Sequence, residues 1–222
     1  ATDWRGWDPP VALSGWEAIR WTDGAGALQY ALTPHAINVG RTVLAVHATH
    51  DTGRASPYGV EVSIRNPTTG AWSTVEVWTT TLAPPTNQER APCLVELPSG
   101  RILCYFWIFD PNLSTAQIRQ YYSDDTGATW TLGARGVLAE LINYGTTGNS
   151  YRVKRIRAAY ADGQIMLVSH VIANHSALTH IDTVLHWASV DLGNHFTLVS
   201  DWRTSDTVAV GALDLVVAGG VF

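Results

Sequence analysis

The residues able to do chemistry in this 222-residue chain fall into two groups. Histidines crowd one loop and its flanks, where His170, His175, His180 and His186 stand with Asp182 among them. Their spacings of five, five and six residues do not match a compact zinc motif, in which two ligands share one turn of a helix. The expectation is of solvated loop histidines and no metal. Counting seven residues beyond each of three turn glycines, Gly40, Gly100 and Gly163, gives the second group: His47, Trp107 and His170. An imidazole or indole at the same end of three successive strands would suit sugar stacking and hydrogen bonding in a concave ligand-binding site. Packing between neighbouring sheets would place the same residue types there. No glycine-rich phosphate loop, Gly-x-Ser-x-Gly elbow or Cys-His nucleophile arrangement is present, and no cofactor is expected.

The elements that must position these residues repeat. A glycine-centred hairpin between two apolar runs occurs at Val39-Gly40-Arg41, Ser99-Gly100-Arg101 and Asp162-Gly163-Gln164, with spacings of 60 and 63 residues. After each comes an apolar strand, a polar loop and a third alternating strand. The third strand of the second unit runs into Ser123-x-Asp125-x-Gly127-x-Thr129-Trp130, and that of the third unit into Ser189-x-Asp191-x-Gly193-x-x-Phe196. Asn66-Pro67-Thr68-Thr69-Gly70-Ala71-Trp72 is a degenerate copy in the first. In such a turn an Asp side chain accepts backbone N–H bonds, Gly takes a positive φ, and the aromatic folds back over the hairpin. The order predicts an all-β chain of four-stranded antiparallel meanders: residues 29–80, 90–138 and 153–202, with a fourth starting at 208–222 and residues 1–28 as an N-terminal segment that could supply a closing strand. No helix of useful length is signalled.

The two complete turns, together with Arg90-Ala91-Pro92 leading into Leu94 through Leu103, resemble the sialidase family, also called the BNR or Asp-box family. The resemblance implies a β-propeller, here about three and a half blades, completed by further chain or by a partner. It implies that the Asp boxes lie on the rim opposite the functional face, which would then carry 50–58, 81–90, 108–117 and 174–182. By the same resemblance Arg90 matches an arginine that clamps a substrate carboxylate, and Asp110 matches the acid/base aspartate. Read from residue type alone, Arg90 caps a strand end and Asp110-Pro111-Asn112 is a turn. A sialidase needs further arginines and a Tyr/Glu nucleophile pair from later blades, beyond what this chain contains.

Composition excludes several classes. Net charge is -5, from 14 basic and 19 acidic residues, and the longest basic run is Lys154-Arg155-Ile156-Arg157, so no nucleic-acid partner is expected. No apolar stretch approaches the roughly 18 residues of a membrane helix. The N-terminal Ala1 to Trp7 lacks a signal-peptide pattern. A two-residue Ser99-Gly100 loop would set the two cysteines, Cys93 and Cys104, diagonally across a strand pair, a poor disulfide geometry that favours free buried thiols. The leading functional expectation is recognition of a glycan or cell-surface ligand by an extracellular or virion-associated module. A sialidase-type glycoside hydrolase and a purely structural assembly protein are the alternatives.

Overall fold

A computed structural model describes residues 20–22, 28–30, 32–50, 58–80, 91–110, 115–138, 152–176 and 179–203. All regular structure among them is β. A short antiparallel ribbon, β1 (Arg20–Thr22) with β2 (Leu28–Tyr30), precedes three four-stranded sheets. The first sheet holds β3 (Leu32–Val39), β4 (Thr42–His50), β5 (Tyr58–Arg65) and β6 (Trp72–Thr80). The second holds β7 (Cys93–Glu96), β8 (Ile102–Asp110), β9 (Thr115–Ser123) and β10 (Thr131–Val137). The third holds β11 (Arg152–Ala161), β12 (Gln164–Ser176), β13 (Thr179–Ser189) and β14 (Thr197–Arg203). Each is an antiparallel meander in chain order, the form of a propeller blade. The expected fourth blade at 208–222 lies outside the described residues.

First strands come together: β7 lies against β3 on one side and β11 on the other. The Leu94 N–H of β7 donates to His35 Nδ1 of β3 at 3.1 Å. The sheets therefore radiate from their first strands, and each pair of neighbours encloses a core. Between the first and second blades lie Leu44, Val46, Val60 and Val62 against Ile102, Cys104, Phe106 and Ile108. Between the second and third lie Leu103, Tyr105, Trp107 and Ile118 against Ile156, Ile165, Leu167 and Trp187. The run from Ile102 to Ile108 is apolar without alternation because β8 is covered on both faces, its even residues by one core and its odd residues by the other.

The three first hairpins differ in a way that matters for the site. Between β3 and β4, Gly40 (φ 58) is the first residue of a two-residue turn. Between β11 and β12, Asp162 (φ 49) and Gly163 (φ 81) form a two-residue turn, both left-handed as a type I′ turn requires, with Gly second. Between β7 and β8 the loop is one residue longer than expected. Gly100 N–H donates to Leu97 C=O (2.9 Å) and Leu97 N–H to Arg101 C=O (2.8 Å), leaving Pro98, Ser99 and Gly100 (φ 83) as a three-residue loop. That extra residue moves the register, so Cys93 pairs with Tyr105 and Cys104 with Leu94. The cysteines are not diagonal neighbours. They belong to different cores, on opposite faces of the sheet, and both are free and buried.

Candidate functional site

The Ser-Asp turns closing the second and third blades share one geometry. In the second, Ser123 Oγ donates to Asp125 Oδ1 (2.8 Å) and accepts from Gly127 N–H (2.8 Å). Asp125 then accepts from Thr129 N–H (2.8 Å) and Thr129 Oγ1 (2.6 Å), and Trp130 Nε1 folds back to Gly127 C=O (2.9 Å). In the third, Ser189 Oγ donates to Asp191 Oδ1 (2.8 Å) and accepts from Gly193 N–H (2.9 Å). His195 replaces the threonine, with its N–H on Asp191 Oδ1 (2.9 Å) and its Nδ1 on Oδ2 (2.6 Å). The residue before each glycine, Thr126 or Leu192, has φ 58, and both glycines have φ 88. Phe196 meets Tyr105 edge-on at 5.9 Å instead of making a hydrogen bond back to its own turn. The first blade has only an Asx turn: Asn66 Oδ1 accepts from Thr68 and Thr69 N–H at 2.8 and 3.0 Å, and Trp72 stays exposed.

These turns dock on the preceding blade. A Cβ on Gly127 would meet Leu44 Cδ2 at 2.6 Å, and one on Gly193 would meet Gln120 Nε2 at 2.7 Å. Gln120 Nε2 donates to Gly193 C=O and to Tyr105 OH, both at 3.0 Å. Burial foremost raises the Tyr105 pKa, which keeps its phenol protonated. The bonds from the Thr129 hydroxyl and N–H hold Asp125 at about 2. For Asp191 burial acts upward, but the His195 and Ser189 bonds outweigh it and hold it at about 2. Hydrogen-bonded, ionised and tied to the neighbouring blade, these groups are structural. The Gln120 bridge was not legible in sequence, because its partners lie 15 and 73 residues away.

The opposite end of the blades carries the sequence candidates. Arg90 lies outside the described residues, as do most of the loops expected to carry function. Asp110 ends β8, paired in register with Thr115 across a four-residue loop. Just past Arg90, Ala91 is fully buried in the core with φ 40, a left-handed backbone that a non-glycine residue adopts at a cost.

Trp107 and His170 occupy equivalent positions, each five residues beyond the residue paired with the turn serine (Ile102 with Ser123, Ile165 with Ser189). His47 is out of phase with them. Leu44 and Val46 of β4 point to the following blade, so His47 points the other way, where its Nε2 meets Ser63 Oγ at 3.1 Å and Ser63 Oγ meets Thr74 Oγ1 at 3.3 Å. The count from glycine misaligned it because Gly40 opens its turn whereas Gly163 closes one. The position in β4 equivalent to Trp107 is Ala48, six residues beyond Thr42 as Trp107 is beyond Arg101 and His170 beyond Gln164. All three residues are buried, at 0% (His47), 2% (Trp107) and 2% (His170) exposure, so none offers a ring face to solvent. Trp107 belongs to the core between the second and third blades, and its Nε1 has no hydrogen-bond partner among the described residues.

The histidine-rich stretch is strand, not loop: His170 and His175 lie on β12, His180, Asp182 and His186 on β13. Among the described residues no group of three or more His, Cys, Asp or Glu gathers as a metal site. Burial lowers the His186 pKa, favouring the neutral ring, and its Nδ1 lies 3.4 Å from Ser200 Oγ.

No protein-family model and no curated protein matches the chain. Solved structures do. An α-L-arabinanase of Penicillium chrysogenum complexed with arabinobiose is similar with a TM-score of 0.56 and 19% identity, over 80% of this chain and 50% of that one. A GH93 α-L-arabinofuranosidase of Fusarium graminearum with arabinobiose is similar with a TM-score of 0.51 and 17% identity, over 81% of this chain and 49% of that one. The chain thus spans about half the length of the structures it matches, and the fold they share with it is the β-propeller.

Proposed function

We propose that this chain is a carbohydrate-recognition propeller that binds its glycan at the end of the blades remote from the Ser-Asp turns. The observation that carries the reading is the sidedness of the second blade. Its Ser-Asp turn is consumed in holding blades together, while β8 ends at Asp110 at the opposite end of the blade, the end at which β7 begins just after left-handed Ala91. The matched propellers are an arabinanase and an arabinofuranosidase, both solved with arabinobiose, which supports a glycan as ligand. The Ser-x-Asp-x-Gly turns support the finer likeness to Asp-box propellers. In that reading Arg90 holds an anionic or polar group of the sugar and Asp110 hydrogen-bonds a hydroxyl.

Hydrolysis is the second reading, favoured by the matched structures being an arabinanase and an arabinofuranosidase. Asp110 would then be a general acid and Arg90 a carboxylate clamp in a sialidase-type reaction. A glycan array followed by turnover assays on aryl arabinofuranosides and aryl sialosides separates the two. The recognition reading expects array binding, lost in Arg90→Ala or Asp110→Asn, without turnover. Turnover abolished by Asp110→Asn would establish the hydrolase instead, and absence of both would remove the glycan altogether.

A further inference from the structure

The seam between the first and second blades holds a cation that no described residue neutralises. Arg119 of β9 is half-buried, its Nε is shielded from solvent without a hydrogen-bond partner, and no carboxylate pairs with it among the described residues. Its guanidinium lies over the indole of Trp78 on β6, with Cζ 6.0 Å from the ring centroid. Trp78 in turn meets Phe106 at 5.6 Å, and Phe106 stacks on Tyr121 at 5.6 Å, so the arginine sits at the end of an aromatic wall. Contact with an indole offsets part of the desolvation of a cation but leaves its in-plane N–H groups unmet.

Both outer strands distort at this point. On β6 the register runs from Val60↔Trp78 to Glu61↔Glu76, which makes Val77 an inserted residue beside Trp78. On β10 it runs from Leu132↔Tyr121 to Val137↔Arg119, so residues 133–136 stand opposite Gln120 alone. Bulges of this kind end regular pairing and re-aim side chains, and they concentrate beside functional sites. Arg101 provides the contrast within the same blade. It also lies over an aromatic ring, Tyr122 at 4.3 Å, but both arms of its fork bind Asp124, at 2.7 and 2.8 Å.

We infer that Arg119 and the partly exposed rings of Trp78 and Tyr121, held in place by the buried Phe106 behind them, form a second ligand site, for the carboxylate of an acidic sugar residue on the outer side of this seam. The planar fork of a guanidinium matches a carboxylate in two parallel bonds, and the partly exposed edges of Trp78 and Tyr121 suit the apolar face of a pyranose ring. The site is independent of Arg90 and Asp110, so neither proposal stands or falls with the other.

Calorimetric titration of the whole chain with glucuronic acid and N-acetylneuraminic acid, beside their methyl esters and inorganic phosphate, tests it. The acids should bind with millimolar or tighter affinity, and Arg119→Met should weaken them about tenfold or more while Arg101→Met changes nothing. Arg119→Lys, which keeps the charge and loses the fork, should also weaken the acids and serves if the methionine variant does not fold. Equal binding of ester and acid, competition by phosphate at equal strength, or acid binding untouched by Arg119→Lys would each overturn the assignment. So would the absence of any binding by the acids.

Discussion

At the scale of single residues, Asp125 and Asp191 link the two turns to pH. Both are held at about 2, against roughly 3.9 for an unfolded aspartate. A depressed carboxyl stabilises the fold fully above the unfolded value and loses that contribution as pH falls through the folded one. The chain should therefore lose stability between about pH 4 and pH 2. Asp125→Asn should be less stable than the parent at pH 7 and converge on it in acid; urea midpoints at pH 7, 4 and 2.5 read this, and parallel curves would refute the role. The glycines offer a second comparison. Gly163 and Gly193 both have left-handed φ, but a Cβ at Gly163 meets nothing within 4 Å whereas one at Gly193 meets Gln120 and Tyr105 of the preceding blade. Gly163→Ala should cost about 1–2 kcal/mol from backbone conformation alone. Gly193→Ala should cost clearly more, because it also prises the blades apart, and equal losses in denaturant melts would show that the turn does not dock.

At the scale of the strand and hairpin, what the sequence reveals depends on how local the determining contact is. The Ser-Asp turns were legible because every bond inside them joins residues two to four apart, Ser123 to Asp125, Gly127 to Ser123, Thr129 to Asp125. The four-stranded meander followed from those turns and the glycine hairpins. Register did not, since a glycine can open a turn, as Gly40 does, or close one, as Gly163 does, and each shift of one residue exchanges the faces of a strand. That difference is why a count from glycine groups His47 with Trp107 and His170, whereas a third loop residue, Pro98, is what takes the cysteines off the diagonal. With Cys93 and Cys104 on opposite faces of their sheet, no disulfide can form. Burial pushes the Cys93 thiol to about 12 and Cys104 well above its usual value. Both should therefore resist a thiol-specific reagent at pH 8 in the native protein and react together once it unfolds. Rapid labelling of either in the native state would contradict the register.

At the scale of the whole molecule, the middle blade belongs to both cores, and this decides how the array should unfold. Phe106 and Tyr105 are adjacent on β8, yet one packs toward Val46 and Val62 and the other toward Ile165 and Leu167. Loss of order in either seam therefore exposes a face of the strand that the other seam needs. The turn of each following blade adds a second tie, Gly127 on Leu44 and Gly193 on Gln120. Arrays in which each unit touches only its neighbours keep a single transition when interface coupling is strong relative to the stability of one unit. Each blade here has little core of its own, for its buried side chains are shared with the next. Phe106→Ala should thus cost about 3–5 kcal/mol and Leu167→Ala about 2–5 kcal/mol, and each should shift one common transition. Far-ultraviolet circular dichroism and tryptophan fluorescence, followed together through a denaturant titration, should stay coincident in both variants. If Phe106→Ala instead released a first phase and left the third blade to melt at the parental midpoint, the blades would be separate folding units, and the seams would be contacts between finished sheets, not the cores that make them.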